Sequence, residues 1–185
     1  MFNEREAVTK VLNGDTGAFE SLVKQYERLV YVVVSRLLRE PEDVEDICQE
    51  VFIKVYNGLF RFGFQSKLST WIARIAYFTG INYIKKYKKE VLINYPEDME
   101  HYHFTDDNPE LLLTKKDAAK YIEQLVLQLP EKYRIVISLF YLSEFSYEEI
   151  CEITGMPEGT IKNYLFRARN LLKQKMEIYL KGELL

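Results

Sequence analysis

Two cysteines among 185 residues, Cys48 and Cys151, leave no room for a disulfide-rich scaffold. They lie far apart, each in an apolar helical pattern and without a ligand-like neighbour at metal-binding spacing. Both are therefore expected to be buried free thiols of a reducing compartment. Long apolar runs are also missing. The longest begins at Leu29 and stops at Ser35, far short of the roughly 18 residues a membrane span needs. The N-terminus, MFNEREAVTK, is interrupted by charge and lacks the apolar stretch of a secretory signal. A soluble, cytoplasmic chain with no membrane insertion is expected. Positive charge is not in excess either: the net charge is −3, so the global basic footprint common among nucleic-acid binders is absent. No nucleophile–base pair, P-loop or dinucleotide fingerprint occurs, which argues against an enzyme and against a bound cofactor.

What the chain does have is apolar substance and helical rhythm. Hydrophobic residues make up 48% and aromatic residues 14%, ample for packed cores. Apolar positions recur at helical spacing almost throughout, and no convincing alternating strand is found. Asp15 suits the N-cap of a long helix with Phe19, Leu22, Tyr26, Leu29, Val30, Val33 and Leu37 on one face. Pro41 suits the first turn of a second, burying Val44, Ile47, Val51, Phe52 and Val55. Asn57 to Leu68 reads as a loop, and Ser69 or Thr70 starts a helix running to about Lys89. From Val91 to Glu110 there are six acidic residues and no Lys or Arg, with Pro96 and Pro109 as breakers. This reads as a linker. Helix resumes after Asn108-Pro109 to about Leu129, and again from Glu131 to Leu142. The fold class is all-α: two helical domains, 1–90 and 111–185, joined by a flexible acidic linker over 91–110.

Three clusters stand out. In SYEEICEITGMPEGTIKNYLFRARNLLKQK, from Ser146 to Lys175, Ser146 and Glu149 match a capping box, and Gly155-Met156-Pro157 forms a turn. The helix beyond it places Ile161, Leu165, Ala168 and Leu172 toward the core. Lys162, Asn163, Phe166, Arg167 and Asn170 then share the opposite face. A capped helix, a Gly-containing turn and a basic second helix describe a helix-turn-helix with donors and a ring suited to a DNA groove. A solvated basic face is the plainer alternative. The second cluster, Arg61 to Lys89, holds Lys67, Arg74, Lys85, Lys86 and Lys88, has no acidic residue, and follows a loop carrying Phe60, Phe62 and Phe64. Such a mixture suits a surface for phosphates and unpaired bases, or rings folded onto the core with a solvated helix end beside them. The third is acidic: Glu40, Glu42, Asp43, Glu45, Asp46 and Glu50. With no histidine nearby, a docking surface for a basic partner fits better than a metal site. His101 and His103 fall in the linker and read as solvated.

In this order, the motifs resemble the extracytoplasmic-function (ECF) subgroup of the sigma-70 family, the promoter-recognition subunits of bacterial RNA polymerase. GDTGAFESLVKQYERLVY resembles the start of region 2, DVEDICQEVFIKVY its polymerase-binding and melting helix, and LSTWIARIA its promoter-melting signature around Trp71. LPEKYRIVISLFYLSEFSYEEICEITGMPEGTIKNYLFRARNLL resembles region 4 throughout. The resemblance implies a contact zone for core polymerase at Asp43, Glu45, Asp46, Gln49 and Glu50. It implies a pocket for a flipped −10 base involving Lys54, Gly58, Phe62, Ile75 and Phe78, with Trp71, Arg74, Lys85 and Lys86 on the same DNA face. It implies −35 reading by Lys162, Asn163, Phe166 and Arg167, flanked by Thr160 and Arg169 of the GTIK…RAR run. The implied partners are core polymerase (the largest-subunit coiled coil and the flap), promoter DNA and an anti-sigma factor. The family often has Asn where Phe78 stands and Ser-Arg where Asn163-Tyr164 stands. A stand-alone helix-turn-helix regulator is the alternative reading.

Overall fold

The computed structural model describes residues 3–87 and 115–182. The first half builds α1 (Glu4–Leu12), α2 (Thr16–Leu37), α3 (Pro41–Gly58), a 3-10 turn (Leu59–Arg61) and α4 (Leu68–Tyr87). The second builds α5 (Lys115–Gln128), α6 (Glu131–Tyr141), α7 (Tyr147–Thr154) and α8 (Glu158–Gly182). Among the described residues there is no strand, as the helical periodicity predicts. The linker, both histidines, Lys88, Lys89 and the expected helix start at Asn108-Pro109 lie outside them.

Local chemistry sets most boundaries. The Ala18 N–H donates to Asp15 Oδ1 (3.0 Å), so Asp15 caps α2 as anticipated. Pro41 occupies the first turn of α3, where its missing N–H costs nothing. Sequence patterning overlooked α1, although Asn3 caps it through the Glu6 N–H (3.2 Å) and Val8 and Val11 are buried. It also ended α3 too early. Val55 and Leu59, spaced by four residues, are both fully buried, and their packing carries helix through Gly58 and on into the 3-10 turn. That burial outweighs the roughly 1 kcal/mol a helical glycine costs. Between α3 and α4, irregular backbone is confined to residues 62–67.

α2 lies across both α3 and α4. At Gly80 of α4 a Cβ would sit 2.7 Å from Leu37 Cδ1 of α2, so a larger residue there would have to push the Leu37 side chain aside. In the second half, α6 is buried from Tyr133 to Leu139 and packs on α8, while α7 crosses α8 at the helix-turn-helix.

The halves touch along two seams, α2 against α6 and α4 against α7. The first is held by buried arginines. Arg134, 3% exposed, donates through Nε to the Arg36 carbonyl (2.5 Å) and through Nη1 to the Leu127 carbonyl (2.9 Å). Arg36 in turn pairs with Glu123 (3.1 Å). A cation at the last turn of α2 is also favoured by that helix's dipole.

Candidate nucleic-acid interface

The helix-turn-helix is built as its capping signals require. The Ser146 N–H donates to Glu149 Oε2 (2.8 Å) and the Glu149 N–H donates back to Ser146 Oγ (3.2 Å), which fixes the start of α7. Gly155 takes φ +73°, the left-handed conformation that ends a helix at little cost for glycine, and its N–H reaches the Cys151 carbonyl (2.8 Å). The Thr154 hydroxyl donates to the Ile150 carbonyl and accepts from the Met156 N–H, tightening the corner.

Beyond the turn, Ile161, Leu165 and Ala168 are fully buried. Leu172 continues that stripe, half-buried and packed against the core, and the neighbouring Leu171 is buried beside it. Lys162 and Asn163 are exposed, Arg167 is half-buried, and Phe166 stands 61% exposed. Lys162 is steadied by Glu158 (2.5 Å) and by the Tyr147 ring (5.4 Å), and the Glu158 hydrogen bond holds its ammonium above the usual lysine range. Arg169 donates through Nε to the Tyr141 hydroxyl (2.7 Å) and lies over the Phe140 and Tyr141 rings. Thr160 sits half-buried in the first turn of α8, its N–H on the Pro157 carbonyl (3.0 Å). The face selected by periodicity is thus a surface of charge, amide and one bare ring. Tyr141, which orients Arg169, was missed; its only trace in sequence is an aromatic pair, Phe140-Tyr141, at a helix end.

The α4 face is more divided. Phe62 is buried and stacks at 5.2 Å on Trp71, while Phe60 and Phe64 remain exposed. Of the three loop rings, one therefore folds back and two do not. Trp71 is half-buried and covers Gly58, where a Cβ would meet its ring at 3.3 Å. Arg74 lies 5.2 Å above Phe78, which is 37% exposed; Ile75 is half-buried beside them. Lys54 is exposed and links Glu50 (2.6 Å) to the Thr79 hydroxyl (3.3 Å). Lys85 and Lys86 are exposed at the last turn, Lys86 over the Tyr87 ring. Sequence reading also missed Arg5, which α1 places 4.6 Å over Phe64. No spacing signal joins residues 59 positions apart.

On α3, Glu45, Asp46, Gln49 and Glu50 line one exposed face. Asp43 is half-buried and accepts from the Tyr83 hydroxyl (2.6 Å); this bond pushes the Tyr83 phenol up to about 12. Exposed Ile53 and Tyr56 continue down the same helix to Phe60. Among the described residues no group of His, Cys, Asp and Glu is arranged to hold a metal ion, and no helix is long and apolar enough to cross a membrane.

Comparison with known proteins places both halves. The family described as Sigma-70 region 2 matches residues 22–90, and Sigma-70, region 4 matches residues 119–172. The ECF RNA polymerase sigma factor SigW of Bacillus subtilis is 34% identical over 179 residues, covering 93% of this chain and 96% of its own. The ECF RNA polymerase sigma-E factor of Escherichia coli K12 is 34% identical over 177 residues, covering 92% of each. Among solved structures, the sigma factor RpoE of Bartonella quintana, determined with the anti-sigma factor NepR, superposes with a TM-score of 0.64 at 22% identity. That alignment covers 86% of this chain and 97% of RpoE, and it shows the fold.

Proposed function

The chain belongs to the sigma-70 family, as an ECF sigma factor of transcription initiation, and we propose that its two aromatic–basic faces read the two elements of a promoter. Residues 1–90 form the unit that binds core polymerase and handles the −10 element, 91–110 the tether, and 111–185 the unit that reads the −35 duplex. In α8, Lys162, Asn163 and Arg167 supply donors to base edges, and the Phe166 ring covers thymine methyls or sugars. Thr160 and Arg169 hold flanking phosphates, Arg169 oriented by Tyr141.

On α4, Trp71, Arg74, Ile75 and Phe78 receive the displaced −10 strand, with Lys54 and Gly58 at the margin and Lys85 and Lys86 on its phosphates. Phe62, buried, supports Trp71 from beneath instead of touching a base. Opening the duplex this way requires no covalent chemistry. Unstacking one base costs a few kcal/mol, and stacking on an aromatic side chain returns about 1–3 kcal/mol per base. The acidic face of α3 (Asp43, Glu45, Asp46, Gln49 and Glu50) docks on basic polymerase surface, and an anti-sigma factor is the expected antagonist. All of this takes place in the cytoplasm.

The observation that carries the reading is Phe166, a bare ring between Lys162 and Arg167 on a capped helix-turn-helix. Run-off transcription with core polymerase on a randomised promoter library tests it. Selected templates should share two separated boxes, and transcripts should depend on the added chain. Specific binding by the isolated chain as a dimer, with no polymerase requirement, would favour the stand-alone regulator and refute this reading.

A further inference from the structure

The α4 face assigned above to the −10 strand is not free in this structure: α7 lies across it. Glu149 Oε1 accepts a hydrogen bond from the Thr70 hydroxyl (3.2 Å) and pairs with Lys67 Nζ (3.0 Å). One turn further along α4, Arg74 donates through Nη1 to the Glu152 backbone carbonyl. One turn beyond that, the Phe78 ring faces the Gly155 corner, 3.8 Å from where a Cβ would stand. Lys67, Thr70, Arg74 and Phe78 thus meet, in register, a carboxylate, a carbonyl at the negative end of α7 and a bare glycine corner. A single strand presents the same order of chemistry: phosphate oxygens spaced along a backbone, with planar groups beside them.

We infer that α7 is an intramolecular competitor for single-stranded DNA, with the Glu149 carboxylate standing where a strand phosphate would bind Lys67 and Thr70. The inference rests on the −10 assignment of the preceding section. Glu149 is suited to the task. Burial alone would raise its carboxyl, but the Ser146 N–H and Lys67 outweigh burial and hold it below the usual range, so it stays charged at neutral pH. It is also shared. The second oxygen closes the capping box, so one residue both builds the helix-turn-helix and covers the α4 face. The Lys67 side chain is 72% exposed and Glu149 17%, so the ion pair is open to solvent from the lysine's side and a phosphate can reach Lys67 before α7 leaves.

Glu149→Gln is the decisive variant in the full chain. Glutamine serves in a capping box as glutamate does, so α7 keeps its start while the charge is lost. Glu152→Gln is its control: it makes the same change in net charge on the same helix, at an exposed side chain whose backbone carbonyl still faces Arg74. The probe is a fluorescein-labelled, random-sequence, single-stranded DNA 12-mer, read by anisotropy at low salt. E149Q should bind roughly three- to fivefold tighter than the parent, the upper worth of a screened ion pair, since glutamine can keep an acceptor for Thr70, and E152Q within twofold of the parent. Equal gains in both variants would reduce the effect to net charge and overturn the inference. No binding by any chain would overturn it as well. In either case the run-off assay, read with polymerase present, leaves the sigma-factor reading to stand or fall separately. A second measurement needs no variant. Saturating the parent with the 12-mer should speed amide hydrogen exchange across Tyr147–Thr154, and unchanged or slower exchange there would equally overturn the competition.

Discussion

Replacing Phe166 with alanine should separate recognition from stability. The ring is 61% exposed, so its loss removes little from the core, and surface changes of this kind stay within about 0.5 kcal/mol. An aromatic side chain buries roughly 150–250 Å² when fully covered. At the observed exposure, about 90–150 Å² remains available to a partner. If a groove covers half of that, ~25 cal/mol per Å² gives about 1–2 kcal/mol, or roughly a five- to thirtyfold loss of promoter affinity. The assay pairs run-off transcription, titrated with the variant and core polymerase, against urea unfolding of the variant alone. Transcription should fall by that factor while the unfolding midpoint stays put, and a higher sigma concentration should restore it. Unaltered transcription would remove Phe166 from the interface. A large drop in the midpoint would mean that the ring belongs to the fold and that the face was misassigned.

Other outcomes test the scaffold. Arg134→Met leaves the Arg36 and Leu127 carbonyls without their buried donor, and should cost about 3–5 kcal/mol in urea unfolding; a loss under about 1 kcal/mol would dismiss the arginine seam. Gly155→Ala meets no clash, since Phe78 is 3.8 Å away, but forces an L side chain to φ +73° and should cost roughly 1–2 kcal/mol by chemical denaturation. The Cys48 thiol is pushed up to about 11, first by burial and then by Glu45. The structure leaves Cys48 and Cys151 half-buried, short of the full burial expected from sequence. The Cys48 thiolate fraction near pH 8 is nonetheless tiny, and iodoacetamide should alkylate it on the order of a hundredfold more slowly than an unperturbed thiol, followed by mass spectrometry; rapid labelling would contradict the raised thiol.

The helical ledger was legible where one signal acts over a short span. Asp15, Pro41 and the Ser146–Glu149 pair each mark a helix start by a rule that spans at most four residues, and each does so in the structure. The α8 face was legible for the same reason: buried Ile161, Leu165 and Ala168 determine which side chains point out. The failures have a shared cause. α1 is nine residues long and amphipathic only through Val8 and Val11, too short for its period to rise above its charges. α3 runs past Gly58 because Leu59 finds a buried site in three dimensions. The phenylalanine loop could not be divided from sequence at all. Phe62 is buried because Trp71 meets it from α4, and nothing in the order of residues separates it from Phe60 or Phe64.

The seams between the halves were the least legible, and they differ in kind. Arg134 and Arg36 are buried, so parting the α2–α6 contact gives up the Arg134–Arg36 carbonyl bond and the Arg36–Glu123 pair and exposes both guanidinium groups to water. The α4–α7 contact is made by exposed Lys67, Arg74 and Phe78 together with buried Thr70, so the bonds of the three exposed residues are largely regained from solvent or from phosphate when it opens. Separating the halves completely gives up both seams, whereas the competition proposed at α4 turns on the Glu149 charge. This division also explains why a chain of net charge −3 need not bind DNA poorly in complex. One of its carboxylates, Glu149, is placed to oppose DNA only while the halves are closed. In the proposed complex the acidic face of α3 is covered by the basic surface it docks against, leaving the lysines and arginines of α4 and α8 to set the local field.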